Sequence, residues 1–293
     1  MLLKGVYTAL VTPFINGGLA FADFEGLIAT QSDGGVDGVV VCGTTGESTS
    51  LSDEEFVNLI EIAVSKAGRM RVLAGVGSCN TADAVKKTEV AHDLGVTGML
   101  AVTPCYVKPT QLGLLEYYDR IADATDKPII LYSNPSRAGV EIAVDTIVKL
   151  REQHGNIVGL KEATENCGRV EKIVSILGEG FSVFSGNDSM TLPFMSLGAV
   201  GVIGVIPNLE PQLMSSLVAL ARTGDFRGAL RLYHTILPVM GKLFIETNPL
   251  PVKFLLKAKG VISSEECRSP MGRLSEKSIV ELSELAASYS CPS

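Results

Sequence analysis

The sequence predicts an α/β fold, a (β/α)8 TIM barrel followed by a C-terminal helical extension. Eight short apolar segments typical of strands alternate with segments of helical periodicity. Successive strands begin about 28 residues apart, which is the length of one strand, one helix and two short loops. The segments are continuously apolar, as in parallel strands buried on both faces, and eight such units favour a closed barrel over a doubly wound sheet. The predicted strand starts are Gly5, Gly38, Arg71, Gly98, Pro128, Asn156, Phe181 and Val200.

Capping residues predict where the helices between these strands begin. Ser52 and Glu55 have the Ser-x-x-Glu spacing of a capping box and precede periodic apolar residues. Asn80 or Thr81 is placed to cap the helix that follows the third strand. We assign these residues a structural role.

Beyond the eighth strand the pattern is helical, with breaks at Gly224 and Gly260. A helical segment of this length is too small to be an independent fold, so it is expected to be an appendix of the barrel. We therefore predict a catalytic barrel over residues 1–208 and a helical extension over residues 209–293.

Composition and charge exclude several classes of function. The formal net charge is −7 and no basic run occurs, so a nucleic-acid partner is not expected. An anionic small substrate remains compatible with this charge, because one or two local cations can bind it. Residues 1–14 lack the pattern of a signal peptide, and the longest apolar stretch, residues 197–207, is too short to span a bilayer. We expect a soluble protein with no membrane partner.

The cysteines indicate a reduced, cytoplasmic protein. The six are Cys42, Cys79, Cys105, Cys167, Cys267 and Cys291. They form no Cys-x-x-Cys pair and have no histidine nearby at ligand spacing, so zinc chemistry is disfavoured and no metal is expected. Cys42 and Cys105 lie near the predicted strand ends, and the sequence assigns them no role.

Lys161 closes the sixth apolar segment, which begins at Asn156. An amine among apolar residues loses hydration, which favours its neutral, nucleophilic form. Such an amine can attack a carbonyl carbon and form a Schiff base. The alternative is a strand-terminal lysine whose stem packs while its ammonium group reaches water.

The turn after the second strand places two threonines between glycines. Backbone N–H groups and the hydroxyls of Thr44 and Thr45 can bind a small anion there. An ordinary strand-to-helix turn with Ser/Thr capping is the alternative.

Tyrosines follow two other strands, at Tyr106 and Tyr132. A chain in which Thr44 links them would relay protons without adding a competing charge. Alternatively, each tyrosine ring only packs against its neighbours while its hydroxyl group is solvated. Arg137 suits a carboxylate through bidentate hydrogen bonds, with a surface ion pair as its alternative.

Two glycine-rich segments lie at or near the ends of the last two predicted strands. Ser185–Asp188, which contains Gly186, and Gly201–Gly204 allow a ligand to approach the backbone closely. Neither segment is a dinucleotide fingerprint, and Gly75–Gly77 lacks the third glycine, so a nucleotide-binding Rossmann fold is rejected.

Four segments carry a resemblance to a known family. They are Gly43–Glu47, Tyr132 with Asn134–Gly139, Gly159–Thr164 and Asn248–Lys253. On these segments the chain resembles, over essentially its whole length, the dihydrodipicolinate synthases (4-hydroxy-tetrahydrodipicolinate synthases) of the N-acetylneuraminate lyase superfamily. A strand-six lysine with a strand-five tyrosine is the superfamily pattern, and the double threonine with Arg137 is the synthase-like mark.

The resemblance implies a catalytic role for four residues. Lys161 would form the Schiff base with pyruvate, and Tyr132 would shuttle protons to and from the imine and enamine. Thr44 would bridge Tyr132 to Tyr106, which is expected to reach in from a neighbouring subunit of a tight dimer. The register of Tyr106 rests on the Pro-x-Gln-x-Gly segment at residues 109–113.

The resemblance also implies the substrate contacts. Thr45 would hold the pyruvate carboxylate, Arg137 would bind the carboxylate of L-aspartate 4-semialdehyde, and the pocket would be lined by Gly186 and Ile203. The covalent imine replaces any cofactor. The product would be 4-hydroxy-tetrahydrodipicolinate, an intermediate of lysine and diaminopimelate biosynthesis, made by a homotetramer of tight dimers.

Two alternative functions remain at this stage. A related pyruvate-dependent aldolase would act on a keto-deoxy sugar acid or sialic acid, but Arg137 disfavours a polyol substrate. A barrel without catalytic activity would serve as a scaffold. Retention of Lys161, Tyr132, Thr44 and Tyr106 together disfavours that alternative.

One departure from the family concerns feedback by L-lysine, which in many members binds at the dimer interface close to a tandem aromatic pair. Here Cys105 replaces the aromatic wall and Cys79 the matching amide, although Ser48 and Asp83 are retained. The helix after the double-threonine turn has Asp53 and Phe56 where sensitive members tend to carry histidines. Phe56 is the residue that would restore part of the wall. Loss of a stacking surface and two polar partners, at about 1–2 kcal/mol each, weakens binding by roughly 10² to 10⁴-fold. The sequence therefore predicts little or no inhibition by millimolar lysine.

Overall fold

The computed structural model describes residues 2–288 and contains a closed barrel of eight parallel strands, which confirms the predicted TIM barrel. Four strands begin at the predicted residue, and the other four begin one residue later. The strands are β1 (Gly5–Ala9), β2 (Gly38–Val41), β3 (Arg71–Gly75), β4 (Gly98–Val102), β5 (Ile129–Ser133), β6 (Ile157–Glu162), β7 (Ser182–Ser185) and β8 (Gly201–Gly204). A two-stranded antiparallel hairpin, Phe14–Ile15 with Gly18–Leu19, follows β1.

Each strand of the barrel is followed by a helix, and three further helices lie in the C-terminal extension as far as residue 288. The helices are α1 (Phe21–Asp33), α2 (Asp53–Lys66), α3 (Thr81–Asp93), α4 (Gln111–Asp123), α5 (Val144–Gln153), α6 (Cys167–Leu177), α7 (Thr191–Ser196), α8 (Pro211–Arg222), α9 (Phe226–Lys242), α10 (Leu250–Ala258) and α11 (Glu276–Ser288). A one-turn helix, Pro135–Ala138, lies between β5 and α5. The Ser52–Glu55 capping box is present at the start of α2, and the Asn80 side chain caps α3.

Pairing of β1 with β8 closes the barrel, with Gly5 opposite Gly201 and Thr8 opposite Gly204. Large apolar side chains fill the interior, and the rings of Tyr7 and Phe184 meet edge to face with centroids 5.6 Å apart. Each such buried side chain contributes about 1.5–3 kcal/mol by leaving water. Because the lower interior of the barrel is packed in this way, space for a ligand within the barrel is expected at the carboxyl ends of the strands.

The helix α8 packs against both β1 and α1, so it completes the ring of eight helices around the barrel. The predicted boundary between residues 208 and 209 places this helix in the extension, and that division stays a prediction. Between residues 2 and 288, no helix is both long and apolar enough to cross a membrane. The same part of the chain holds no cluster of three or more metal-binding side chains.

Candidate active site

A cavity of about 560 Å³ opens at the carboxyl ends of β2 to β5. The barrel contributes the turns that follow these four strands, and the extension contributes Asn248 and residues 268–271 as a further wall. A volume of this size fits small-molecule substrates. The polar side chains around it include Thr44, Ser48, Ser78, Asn80, Asp83, Thr103, Tyr132, Asn134, Arg137 and Asn248.

Lys161 lies beside Tyr132, a residue of the cavity wall, because β5 and β6 pair with these two residues in register. Both side chains are buried. The Lys161 Nζ atom lies 4.3 Å from the centroid of the Tyr132 ring, and Tyr132 lines the cavity. A buried amine beside a phenol is an arrangement suited to imine formation with proton transfer.

The Tyr132 hydroxyl is held from the β5 side of the site. Asn134 Nδ2 donates a hydrogen bond of 2.9 Å to it. Over residues 2–288 no hydrogen bond links the hydroxyls of Thr44 and Tyr132, although both residues line the cavity. The buried Thr103 hydroxyl, also in the cavity wall, has no partner within the described chain. It is free to bond a substrate atom or a water molecule.

A second group of polar side chains is linked through Asn248 in the cavity wall. Asn248 Nδ2 donates to Thr45 Oγ1 at 2.9 Å, and Arg137 Nη2 donates to the Asn248 carbonyl at 3.3 Å. Asn248 Oδ1 is buried and has no partner among residues 2–288. The exposed Arg137 guanidinium keeps its remaining donors for a ligand, and a planar donor fork matches a carboxylate.

The double-threonine turn is held from beneath by a buried ion pair. Glu47 ends this turn with a left-handed φ of 55°. Its Oε1 lies 2.7 Å from Lys253 Nζ, and its Oε2 accepts a 2.9 Å hydrogen bond from the Arg268 backbone N–H. Two segments of the extension thus fix the geometry of Thr44 and Thr45.

Arg268 joins the same wall to α2. Its guanidinium forms a bidentate pair with Glu55, with distances of 2.5 and 2.6 Å. These hydrogen bonds lower the pKa of Glu55 to about 2. The guanidinium also lies 4.2 Å from the centroid of the Phe14 ring. The capping residue of α2 therefore also anchors the extension.

The turns after β7 and β8 close the barrel interior next to the amine. A Cβ atom on Gly186 would lie 3.0 Å from Lys161 Cγ, so only glycine fits there without displacing that side chain. Asp188 accepts backbone hydrogen bonds from Val205 and Ile206 at 2.9 and 3.3 Å. Its burial raises the pKa of this carboxyl to about 6, and the nearby Lys161 charge opposes the shift.

Tyr106 is outside the cavity of its own chain. It is 92% exposed and has a left-handed φ of 67°. Val107 and Leu112 beside it are 57% and 71% exposed. An apolar surface of this kind is typical of a protein–protein contact.

The structure thus brings most of the predicted site residues together. Thr44, Tyr132 and Arg137 line the cavity, and Thr45 is bonded to a residue of its wall. Lys161 lies beside Tyr132, Gly186 lies against Lys161, and Ile203 lies within the barrel interior. Of the eight, Tyr106 alone points away from the site of its own chain.

The sequence indicated no individual role for four residues of this site, although each lies in a segment named above. Asn134 follows β5 directly, and its place at a strand end is the signal for a polar side chain at the site. Lys253 occupies a buried position in an apolar helical pattern, which is also a readable signal. The roles of Asn248 and Asp188 depend on contacts that no local pattern predicts.

Comparison with known proteins gives a consistent result over the whole chain. Residues 2–288 match the family model described as the dihydrodipicolinate synthetase family. A protein of Aquifex aeolicus (strain VF5) named 4-hydroxy-tetrahydrodipicolinate synthase is 44% identical over 292 residues, which cover 99% of each chain.

Solved structures agree with this match. The crystal structure of dihydrodipicolinate synthase from Aquifex aeolicus superposes with a TM-score of 0.95 at 44% identity and covers 97% of each chain. The 4-hydroxy-tetrahydrodipicolinate synthase from Methylacidiphilum fumariolicum SolV has a TM-score of 0.95 at 42% identity, over 97% of this chain and 95% of that one. The resemblance inferred from four sequence segments is confirmed.

Proposed function

The chain belongs to the dihydrodipicolinate synthetase family, and from this premise we propose that it condenses pyruvate with L-aspartate 4-semialdehyde through an imine on Lys161. The product is 4-hydroxy-tetrahydrodipicolinate, for lysine and diaminopimelate biosynthesis. The observation that carries the proposal is the buried Lys161 amine over the ring of Tyr132, which lines a cavity together with Thr44 and Arg137.

The first half of the reaction forms the nucleophile. The neutral Lys161 amine attacks the keto carbon of pyruvate, and loss of water gives the imine. Thr45 and the backbone N–H groups of its turn hold the pyruvate carboxylate. The Tyr132 hydroxyl carries protons between the imine and the enamine, while Asn134 orients it.

The second half joins the two substrates. Arg137 binds the carboxylate of L-aspartate 4-semialdehyde at the mouth of the cavity, and the enamine carbon attacks its aldehyde. The amine of this substrate then displaces Lys161, which closes the ring and frees the enzyme. The residues supply all the acid, base and nucleophile that these steps need, so the proposal includes no cofactor and no metal.

Borohydride trapping followed by substrate assays tests this function. Reduction in the presence of pyruvate is expected to leave a stable adduct on the peptide that contains Lys161, visible by mass spectrometry. Turnover is then measured with L-aspartate 4-semialdehyde and with keto-deoxy sugar acids. An adduct with turnover only of sugar acids would identify the aldolase, and the absence of an adduct would favour the scaffold.

Substitution of Arg137 by Ala is expected to raise the KM for L-aspartate 4-semialdehyde at least about tenfold, since a charge-assisted pair is worth about 1.5–3 kcal/mol. The yield of the borohydride-trapped pyruvate adduct is expected to remain near the wild-type level. Steady-state kinetics with each substrate varied in turn provide the measurement. Equal damage to both substrates would contradict the role given to Arg137.

We also propose that the active unit is a homotetramer of tight dimers in the cytoplasm, in which Tyr106 completes the site of the neighbouring subunit. The outward position of Tyr106 and the apolar residues beside it support this arrangement. In the completed site, Thr44 bridges Tyr132 and Tyr106 of the adjoining subunit. The protein is then at least a dimer, because a monomer would lack the second tyrosine.

Hybrid dimers test this donation of Tyr106 across the subunit boundary. Tyr106→Phe is expected to lower turnover while Lys161 still forms some imine. Mixing this variant with Lys161→Ala subunits is expected to restore activity, since one site of each hybrid then has both groups. If the hybrids are as inactive as their parents after subunit exchange is verified by native mass spectrometry, the donation is wrong.

The prediction of weak inhibition by L-lysine concerns residues of the same cavity. Cys79, Cys105, Ser48 and Asp83 all line the cavity. Phe56 is packed in the core, so it does not restore the missing aromatic wall. Steady-state rates are expected to change little across a titration to millimolar L-lysine. Half-inhibition below about 1 mM, where binding is worth roughly 4 kcal/mol, would contradict the prediction.

A further inference from the structure

Two cysteine thiols are in contact in the wall of the cavity. The Sγ atoms of Cys79 and Cys105 lie 2.8 Å apart, although 26 positions separate the residues in sequence. Cys79 is exposed in the turn before α3, and Cys105 is half-buried in the turn after β4. A covalent S–S bond is about 2.05 Å long, so closing one here needs a displacement below about 1 Å.

We propose that Cys79 and Cys105 form a reversible dithiol–disulfide site, oxidised by low-molecular-weight disulfides, and that closing the disulfide lowers the enzyme's activity. The site differs from the imine machinery, which uses no thiol. Disulfides that form in proteins of reducing compartments are usually transient and serve in catalysis or redox sensing.

The exchange chemistry balances without a metal or a further oxidant. The exposed Cys79 thiolate attacks one sulfur of a small disulfide, releases one small thiolate and becomes a mixed disulfide. The Cys105 thiolate then attacks the Cys79 sulfur, and the second small thiolate leaves. The two protein thiols are oxidised, the small disulfide is reduced to two thiols, and the two protons pass to the released thiolates.

The order of attack follows from the surroundings of the two sulfurs. The hydrogen bond with Cys79, together with burial, raises the pKa of Cys105. Cys79 is the more accessible of the pair. A small disulfide therefore meets Cys79 first, and Cys105 resolves the mixed disulfide from a distance of 2.8 Å.

Oxidation would act on the site through the turn that contains Cys105. Tyr106, the next residue, has a left-handed φ of 67°, and the Val107 N–H bonds the Cys105 carbonyl at 2.7 Å. At the start of the turn, the Thr103 N–H donates to the Tyr132 carbonyl at 3.1 Å. A bond from Cys105 to the turn before α3 shifts this segment, and a misplacement of about 1 Å in a reacting group can cost about 10²-fold in rate.

The experiment uses the full-length reduced protein with oxidised glutathione as the probe. After alkylation under non-reducing conditions, mass spectrometry is expected to find a Cys79–Cys105 cross-linked peptide with the loss of two hydrogens. Synthase activity is expected to fall on the order of tenfold or more and to return with dithiothreitol. Cys79→Ser and Cys167→Ser serve as the test variant and the matched control, each compared with its own reduced form.

The Cys79→Ser protein is expected to keep its own activity on oxidation, whereas Cys167→Ser behaves as the wild type. No cross-link, a cross-link without a change in rate, or equal inhibition of Cys79→Ser would overturn the proposal. Only the rate measurement rests on the proposed function. The cross-link is detected by mass, without substrate. If the cross-link forms but the protein has no synthase activity, the proposed function is wrong. If the enzyme is active but no cross-link forms, the proposed disulfide is wrong.

Discussion

Lys161→Ala is expected to abolish productive turnover, with a loss of about 10³-fold or more in kcat. No other amine of the described chain lies over the Tyr132 ring. Lys87 also lines the cavity, but its amine lies over the Phe56 ring, so we do not expect the intermediate to form there. A packing defect at a strand end would not have an effect of this size. The measurements are steady-state turnover and borohydride trapping with pyruvate.

Two control variants separate chemistry from folding in this experiment. Lys161→Arg retains the positive charge and much of the side-chain length but is not expected to form an imine. Lys149→Ala removes an exposed lysine on α5 and is expected to leave turnover and trapping unchanged. Retention of more than about a tenth of wild-type kcat by Lys161→Ala, at an unchanged unfolding midpoint, would contradict the proposed nucleophile.

Lys253→Met is expected to lower the free energy of unfolding by about 3–5 kcal/mol. Lys253 is 0% exposed and its partner Glu47 only 3%, with 2.7 Å between the charged atoms. Removing the ammonium leaves the Glu47 carboxylate buried without its counter-charge, and burial of an unpaired charge is costly. The double-threonine turn above Glu47 is expected to lose its geometry, so the KM for pyruvate rises as well.

Urea unfolding at fixed protein concentration measures the effect, with Lys86→Met as the matched control. Lys86 pairs with Asp53 at 2.6 Å, but both side chains are well exposed, at 62% and 73%. Such a surface pair contributes at most about 1 kcal/mol. The double variant Lys253→Met with Glu47→Gln is expected to regain part of the loss, because no uncompensated charge remains. If Lys253→Met costs no more than Lys86→Met, the buried pair does not stabilise the turn.

Local patterns predicted the strands because each strand carries its own signal. A continuous apolar run such as Gly38–Val41 is buried on both faces, and its character does not depend on which strand lies beside it. The capping box at Ser52 is equally local, since both of its hydrogen bonds lie within four residues. The proximity of Lys161 and Tyr132 was predictable from their positions at the ends of consecutive strands, because the ends of parallel strands meet at one edge of a barrel.

Direction of side chains was much harder to predict than position along the chain. In the described single chain the Asn134 amide bonds the Tyr132 hydroxyl, a partner that the sequence did not indicate. Phe56, a candidate wall for a bound lysine, instead packs into the core from α2. Either side chain can rotate by a large angle at a fixed place in the sequence, and only its packed neighbours select the rotamer.

The sequence by itself therefore determined the barrel, its strand starts, the strand-terminal amine and the family to which the chain belongs. Tertiary structure alone decided which distant residues complete the site. The Lys253–Glu47 pair spans 206 positions, the Asn248–Thr45 bond spans 203, and the thiols of Cys79 and Cys105 come together from separate turns. Such contacts have no periodic signature, because they arise from the closure of the barrel and the docking of the extension across its open end.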